Sequence, residues 1–356
     1  MTSRNIKIVD KAKVICVSEE VDTAPLKEGE ILVRNEVSLI SSGTELSRVY
    51  ALKKGVVYPV YPGYASIGLV EDTGTGVGFA EGDRVLFSGP HQELFRFPVQ
   101  MMSSLGMIVK LGSEFNGLDS IDASLIHLGL VAMNGILPAE LKIGDTVCVF
   151  GLGIVGLLTA LLYQASGAKV LGIDAVENRA SHARNAGLQN ALSAQGDDQI
   201  KAVTGFFGKE PVYSAERTEV SEGSPPDITV DATGRSEGIV NAIMCCGKNG
   251  QVLLLGSPRE DYTCNVTGVF NRLHMNMITL IGAFNGRYPF SKKEGSRESI
   301  ERNLASFAAL IKNGTIEPKR IISHVLRPEE AMEAYDGLYN HPETYYCVAF
   351  DWKAGT

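Results

Sequence analysis

What this chain of 356 residues lacks already narrows its function. It has no apolar run of the roughly 18 residues needed to span a bilayer, and its first segment, MTSRNIKIVDKAKV, lacks the apolar core of a signal peptide. Its six cysteines are scattered without a CxxC pair, so reduced and buried thiols are expected. The net charge of −8 disfavours nucleic acid and anionic membranes as partners. Together these absences predict a cytoplasmic protein that binds neither.

The most informative segment present is residues 146–174, TVCVFGLGIVGLLTALLYQASGAKVLGID. It combines a short apolar strand, a glycine turn, an apolar helix and a second strand. Gly151, Gly153 and Gly156 occupy the glycine positions of the GxGxxG turn. The amides at the start of the following helix can bind a diphosphate without a cationic side chain. The segment therefore predicts a dinucleotide site.

Asp174 ends the second strand, 18 residues after Gly156, where a carboxylate can accept hydrogen bonds from ribose hydroxyls. This acid favours NAD as the cofactor, because the 2′-phosphate of NADP would meet like charge. Two alternatives remain open: Asp174 can cap the next helix, and Arg179 can receive a 2′-phosphate. The predicted cofactor-binding residues are Gly151, Leu152, Gly153, Ile154, Val155, Gly156, Asp174, Arg179, Thr233, Gly256 and Phe284.

The chain divides into three blocks by pattern. Up to about residue 118, short alternating segments separated by glycine turns predict a β-rich block with few helices. From about 127 to 284, repeated strand and helix patterns predict a doubly wound parallel sheet. After 285, a loop, two helices and a final strand at 347–351 are expected to return to the first block. We therefore predict an α/β protein with one domain from 1–126 and 285–356, a second from 127–284, and a cleft between them.

The segment 205–226 interrupts the second block with charge, glycine and proline, and we expect a surface excursion there. Tyr213 within it has two interpretations, a solvated loop tip or a cover for the adenine ring.

Several stretches resemble the medium-chain dehydrogenase/reductase superfamily, the alcohol dehydrogenase-like proteins, over nearly the whole chain. These stretches are GEILVRN at 29–35, SSGTEL at 41–46, YPGYASIGLV at 61–70, GDRV at 82–85, KIGDTVCVFGLGIVG at 142–156 and DATG at 231–234. The resemblance implies a GroES-like β domain that holds the substrate and a Rossmann domain that binds the nucleotide. It also implies an oxidoreductase that forms a homodimer or homotetramer, with pairing through the edge of the Rossmann sheet.

The chain departs from the zinc-binding branch of that family at each ligand position. Ser42 stands where zinc members have a cysteine, and Tyr64 with Ala65 replaces their histidine and glutamate. The third ligand position falls near Ile126 or His127. Residues 86–115 contain no cysteine, so the four-cysteine structural lobe is missing too. Because this set cannot supply the usual ligands of tetrahedral zinc, we predict a site without a metal.

Without a Lewis acid, positioned donors must stabilise the oxygen at the reacting carbon. Tyr64 can exchange a proton with that oxygen or simply fill the vacated metal space. Thr44 matches a proton-relay residue of zinc relatives or supports a turn. Glu45 can orient a neighbour, act as a base or form a structural ion pair. His127 can shuttle a proton near neutral pH or lie satisfied in the core.

A second group of polar residues is expected to contact the substrate: Ser42, His91, Asn134, Asn285 and Arg287. His91 matches a position that enters the cleft only in some family members, so its default placement is the surface. Finer similarity to metal-lacking sugar and cyclitol oxidising members predicts NAD-dependent interconversion of a secondary alcohol and a ketone on a polyhydroxylated or cyclic metabolite. A quinone or enone reductase, and a non-catalytic NAD(H)-responsive binder, remain alternatives.

Overall fold

The computed structural model describes residues 2–52, 54–99, 106–208 and 224–354. Tyr213 and most of the expected surface excursion at 205–226 therefore lie outside the described residues. The chain divides into two compact units, one formed by Met1–Leu130 with Tyr288–Thr356 and the other by Val131–Arg287. We refer to them as the β-rich unit and the parallel-sheet unit.

The strands in chain order are β1 (Thr2–Asp10), β2 (Lys13–Glu20), β3 (Glu30–Leu39), β4 (Ser66–Thr73), β5 (Arg84–Phe87), β6 (Leu94–Pro98), β7 (Ile108–Lys110), β8 (Thr146–Phe150), β9 (Lys169–Asp174), β10 (Ala191–Ser193), β11 (Ile228–Asp231), β12 (Gln251–Leu254), β13 (Thr279–Gly282), β14 (His324–Leu326) and β15 (Val348–Asp351). The α-helices are α1 (Ser42–Val49), α2 (Ser120–Met133), α3 (Ile154–Ala165), α4 (Glu177–Asn185), α5 (Asp197–Phe207), α6 (Ser236–Cys245), α7 (Val266–Met275), α8 (Ile300–Lys312), α9 (Pro318–Ile321) and α10 (Ala331–Asn340). Short 3₁₀ turns cover Ser113–Phe115, Asn285–Arg287 and Pro328–Glu330.

The β-rich unit contains a hairpin of β1 and β2 and a seven-stranded sheet. The main path of that sheet is β14-β15-β3-β4-β5-β7, and β6 pairs with β3. Strand β3 buries Ile31, Val33 and Val37 completely, as its alternating pattern requires. The last strand, β15, runs antiparallel to β3, with Ala349 opposite Leu39. The C-terminal segment thus completes the same sheet as the N-terminal segment.

Helix α1 lies in the block for which the sequence patterns indicate mainly strands. Its Glu45 carboxylate turns back and accepts the backbone N–H of Ser41, at 2.7 Å from Oε1. This contact satisfies one of the amides that every helix leaves unpaired at its start. Val49 at the other end of α1 is fully buried beside Ile40 and Tyr335. Packing and this carboxylate together hold a helix of eight residues.

The parallel-sheet unit is built around six parallel strands in the order β10-β9-β8-β11-β12-β13. Counted along the chain, that order is 3-2-1-4-5-6, which is the doubly wound arrangement of dinucleotide-binding domains. The central strands are buried on both faces, so Cys148, Phe150 and Leu171 are inaccessible to solvent. The predicted fold class, a mixed α/β protein with a parallel sheet and a separate β-rich sheet, is confirmed.

All six cysteines are free thiols. Cys148, Cys245, Cys246 and Cys347 are buried, whereas Cys264 is exposed, contrary to the expectation that the thiols are generally buried. Among the helices in the described ranges, none combines the length and apolarity that a membrane crossing requires.

Candidate functional site

The glycine turn after β8 has the geometry that a close backbone approach requires. Gly151 has a φ of +90°, a left-handed conformation that favours glycine, and its N–H donates to Ile173 O at 2.7 Å. At Gly156, a Cβ would lie 1.9 Å from Gly151 O. These two glycines therefore let α3 start directly against the end of β8.

Gly153 has a different environment, since a Cβ added there would meet no atom of the described residues within 4 Å. It precedes α3, and within the described part of the chain no side chain caps the first amides of this helix. Free amides facing open space at a helix start form an anion site. The flanking Leu152 and Ile154 are buried and Val155 is half-buried, so the backbone is what faces this space. These residues fit a diphosphate.

Asp174 closes β9 beside that turn and is only 4% exposed. Its Oδ2 accepts the Leu152 N–H at 2.7 Å, and its Oδ1 accepts the Val176 N–H at 2.9 Å. The residue preceding α4 is Val176, so the interpretation of Asp174 as the helix cap is wrong. Arg179 Nη1 lies 3.8 Å from Asp174 Oδ2, which brings both predicted ribose-side residues together.

Asp231 at the end of β11 is a candidate site residue, and the sequence patterns assign it no individual role. Its register partner in β8 is Phe150, so it stands where the strand order changes direction, the place at which ligands bind in such sheets. Asp231 Oδ1 accepts the Thr233 hydroxyl at 2.5 Å, and Oδ2 accepts the Gly234 N–H at 3.3 Å. Burial raises the pKa of this carboxyl, against those hydrogen bonds. The sequence does contain a sign of this residue, since Asp231 is the acid of the DATG stretch that follows the strand-like run at 228–230.

Gly256 follows β12 and touches the same loop. A Cβ there would lie 2.2 Å from Gly234 N, so the two loops approach as closely as backbones can. Thr233 and Gly256 thus border the same switch point as the glycine turn.

Four further residues of the parallel-sheet unit were predicted to contact cofactor or substrate, and they form one hydrogen-bonded pair and two exposed side chains. Asn134 Nδ2 donates to Asn285 Oδ1 at 3.2 Å, so the structure brings these two amides together. Phe284 and Arg287 are exposed at the carboxyl end of β13 and beyond it. Their expected contacts with cofactor and substrate remain predictions.

In the β-rich unit, a contact between two hydroxyls joins the residue before α1 to the segment before β4. Ser41 Oγ lies 2.5 Å from Tyr64 Oη, and the Thr44 side chain lies near the same phenol. Burial raises the pKa of Tyr64, the Ser41 hydrogen bond and the nearby Thr44 oppose that effect, and the Glu45 charge adds to it. The phenol is therefore protonated at neutral pH, and the Ser41 hydroxyl in contact with it can stabilise its anion.

His127 on α2 lies beside this phenol, with 5.3 Å between the centroids of the His127 and Tyr64 rings. Burial lowers the pKa of His127 to about 4. The predicted change of protonation near neutral pH is therefore wrong, because the ring is neutral there. Its Nδ1 atom is buried and has no hydrogen-bond partner within residues 2–52, 54–99, 106–208 and 224–354.

Two further predicted residues, Glu45 and His91, lie in the interior. His91 is completely buried, so its expected surface placement is wrong. Its Nδ1 contacts Ser38 Oγ at 2.7 Å and its Nε2 contacts Glu45 Oε2 at 3.0 Å. With both nitrogens occupied, His91 is not available to a substrate. The Glu45 carboxylate is buried and hydrogen-bonded to the His91 ring, in line with its interpretation as a residue that orients a neighbour.

The side chains at the expected zinc-ligand positions do not fit zinc. Ser42 begins α1, while Tyr64 and His127 lie together, so the set offers a hydroxyl, a phenol and one imidazole. Structural and catalytic zinc sites use thiolates, imidazoles and carboxylates. In the described part of the chain no three His, Cys, Asp or Glu side chains are grouped so as to hold a metal ion.

Comparison with known proteins gives independent support for the resemblance to alcohol dehydrogenase-like proteins. The family model described as zinc-binding dehydrogenase matches residues 155–301. An uncharacterised zinc-type alcohol dehydrogenase-like protein of Haemophilus influenzae is 20% identical, covering 94% of this chain and 97% of its own. A D-xylulose reductase of Scheffersomyces stipitis is 27% identical, covering 70% of this chain and 58% of its own.

Among solved structures, a short chain alcohol dehydrogenase from Escherichia coli CFT073, complexed with NADH, superposes with a TM-score of 0.75. It is 16% identical, and the match covers 99% of both chains. The motifs, the strand order and these matches agree in their similarity to the medium-chain dehydrogenase/reductase superfamily, which includes the alcohol dehydrogenase-like oxidoreductases.

Proposed function

We propose that this protein is a zinc-independent, NAD(H)-dependent oxidoreductase that interconverts a secondary alcohol and a ketone on a polyhydroxylated or cyclic metabolite. The observation that carries the proposal is the contact between the Ser41 and Tyr64 hydroxyls, with Thr44 nearby. Tyr64 and Thr44 stand where zinc relatives place a metal ligand and a relay residue. Hydrogen-bond donors at such a place can stabilise charge on a substrate oxygen.

The parallel-sheet unit supports the cofactor half of the proposal. The open space before Gly153 and the uncapped start of α3, in the part of the chain that the structure describes, suit the diphosphate. Asp174 suits the ribose hydroxyls, and its charge disfavours a 2′-phosphate. When bound, NAD accepts a hydride from an alcohol carbon and NADH returns it to a ketone carbon.

Tyr64 is proposed as the proton-transfer group. In ketone reduction its hydroxyl donates a proton to the carbonyl oxygen, and the Ser41 hydroxyl donates a hydrogen bond to the resulting phenolate. Ser41 lowers the pKa of Tyr64, and the nearby Thr44 acts in the same direction, which is the effect that stabilising the Tyr64 anion produces. His127 is proposed as a substrate contact through its neutral ring, because its buried Nδ1 lacks a partner among the described residues.

The substrate class follows from the polarity of the proposed contacts. Hydroxyl, amide and imidazole groups suit a substrate with several hydroxyl groups, and a relative at 27% identity is a D-xylulose reductase. Ser42, Asn134, Asn285 and Arg287 complete the proposed substrate contacts, and Glu45 and His91 are assigned another role below.

Self-association is a further part of the proposal. Strand β13 is an edge of the parallel sheet, and Leu280 on it is 45% exposed. Phe270 and Met275 on the neighbouring α7 are more than half exposed. An apolar sheet edge of this kind is suited to pairing with a second copy in a homodimer or homotetramer. Analytical ultracentrifugation tests this, and a monomer would exclude it. The cytoplasmic location remains a prediction from composition.

A substrate panel tests the proposed activity. Sugars, cyclitols and their keto forms are assayed with NAD, NADH and NADPH, and we expect turnover of a polyhydroxylated alcohol or ketone with NAD(H). Reduction of activated alkenes alone would favour the enone reductase. Tight NADH binding without turnover across the panel would favour a non-catalytic binder.

A further inference from the structure

The Ser41–Tyr64 hydroxyl pair joins two chain segments, and each is held by a buried side chain. Ser41 directly precedes α1, and Glu45 on the first turn of that helix accepts its backbone N–H at 2.7 Å from Oε1. The Glu45 side chain is 1% exposed. A fully buried carboxylate thus fixes the backbone from which the Ser41 hydroxyl projects.

His91 holds the second segment. Its backbone N–H donates to Pro62 O at 2.7 Å, two residues before Tyr64. Its ring packs against Gly63, where a Cβ would lie 2.9 Å from both Cγ and Nδ1 of the imidazole. Gly63 has a φ of +105°, so glycine is required there for its backbone conformation as well as for this contact.

The two holding residues are joined to each other by a hydrogen-bond chain. Trp352 Nε1, which can only donate, lies 2.8 Å from Ser38 Oγ. The Ser38 hydroxyl is then free to donate to His91 Nδ1, and His91 Nε2–H donates to Glu45 Oε2 at 3.0 Å. The Tyr335 hydroxyl donates to the same carboxylate oxygen at 2.6 Å. In this arrangement each group has a partner, and the Glu45 carboxylate, which only accepts, requires a proton on His91 Nε2.

We propose that Glu45 and His91 form a positioning pair, which fixes the Ser41 and Tyr64 hydroxyls in contact by holding the backbone of both segments. The pair does not contact substrate, because both side chains are buried and their polar atoms are bonded within the protein. Its role rests on the proposed function of Tyr64. Neither residue then acts as the base or the substrate contact that the sequence suggested.

The test follows Tyr64 directly by NMR of protein labelled with ¹³Cζ-tyrosine, with the Tyr64 resonance assigned from Tyr64→Phe. His91→Phe keeps a flat ring against Gly63 and removes both nitrogens, whereas His91→Gln keeps an N–H donor for Glu45. We expect His91→Phe to shift or split the Tyr64 resonance and to lower kcat about tenfold or more, with the KM for NAD unchanged. In His91→Gln, the Tyr64 resonance and kcat should both lie close to their values in the unmodified protein.

Ser120→Ala is the matched control in the same unit. It removes a buried hydroxyl whose polar contacts are with Glu36 and Arg84, so it reports general destabilisation. An unchanged Tyr64 resonance in His91→Phe, or an equal shift in Ser120→Ala, would overturn the proposal.

Two further variants test the positioning pair if His91→Phe cannot be used. If His91→Phe does not fold, Ser38→Ala and Glu45→Gln are each expected to shift the Tyr64 resonance, and an unshifted resonance in both contradicts the proposal. If Tyr64→Phe retains full turnover, the proposed function fails, while the resonance still reports whether the pair positions Tyr64.

Discussion

The hydroxyl of Ser41 lies 2.5 Å from the hydroxyl of Tyr64, although 23 positions separate the two residues in the sequence. One hydroxyl belongs to the start of α1 and the other to the segment that leads into β4. A phenol placed in this way keeps its proton at neutral pH and has a partner ready to stabilise its anion. This relationship underlies the proposed chemistry and leads to the first prediction.

Tyr64→Phe should lower kcat by about 10²-fold, because general acid–base groups contribute at least this much. Ser41→Ala should have a smaller effect in the same direction, since it removes only the partner of the phenol. The affinity for NADH, measured by fluorescence titration, should be unchanged in both. Tyr61→Phe is the matched control, because the Tyr61 hydroxyl contacts Glu19 on an exposed surface. Equal loss in all three variants would argue against a specific role for Tyr64.

The same phenol sets an expected pH profile for ketone reduction. The acid form of Tyr64 is the active form, and burial raises its pKa above the ordinary value of about 10. The rate should therefore stay level through neutral pH and decline only above about 10. If the rate already declines near pH 7, and this decline is absent in Tyr64→Phe, then the pKa of Tyr64 is lowered and not raised.

Two glycines of one turn should respond differently to alanine. Gly156→Ala places a Cβ 1.9 Å from Gly151 O, so α3 must move and the free energy of unfolding should fall by about 1–3 kcal/mol. Gly153→Ala meets no described atom within 4 Å and should leave the melting temperature nearly unchanged. It should nevertheless weaken NADH binding, because its methyl group occupies the proposed diphosphate space. Calorimetry gives both quantities, and unweakened NADH binding in Gly153→Ala would contradict the placement of the diphosphate.

Asp174 and Arg179 should set the preference between the two cofactors. Asp174→Asn removes the negative charge, so the NADH affinity should fall and the NADPH affinity should rise, changing their ratio by about tenfold or more. Arg179→Ala should lower the NADPH affinity of that variant, since the guanidinium lies 3.8 Å from the carboxylate. If the ratio stays constant in Asp174→Asn, this carboxylate does not select the cofactor.

His127 predicts an acid-dependent loss of stability. Its pKa is about 4 in the folded protein and about 6.5 when unfolded, so the unfolded chain takes up the proton first as the pH falls. The stabilisation is complete above about pH 6.5 and declines toward pH 4, by up to about 3 kcal/mol. His127→Phe should flatten this part of the urea-denaturation profile. His182→Gln should flatten the same pH range, because burial lowers the pKa of His182 to about 4 as well. Parallel profiles for His127→Phe and the unmodified protein would disprove the predicted shift.

The parallel-sheet unit was largely predictable from the sequence, because its signals are local. The run 169–174 becomes β9 with the predicted bounds, and the glycine turn lies between β8 and α3 as expected. Apolar runs buried on both faces and glycine spacing are properties of consecutive residues, so they can be recognised without knowledge of the tertiary structure.

The buried part of the β-rich unit was less predictable, because its contacts join distant residues. His91 lies in the short segment GPHQELF, which indicates a loop, yet its partners Ser38 and Glu45 are 53 and 46 positions away. Helix α1 has eight residues and depends on a carboxylate contact and tertiary packing, so periodicity alone does not identify it. For the same reason, the patterns did not separate Glu45, which is internal, from Thr44, which lies near the phenol.

In the proposed chemistry, side-chain hydroxyls perform the task of a metal ion, so the dependence of turnover on zinc decides whether it holds. The initial rate of alcohol oxidation with NAD is measured on chelator-treated protein whose metal content has been determined by elemental analysis. We predict full activity in protein without zinc and no increase when Zn²⁺ is added. Loss of activity on chelation, restored in proportion to bound Zn²⁺, would contradict the account.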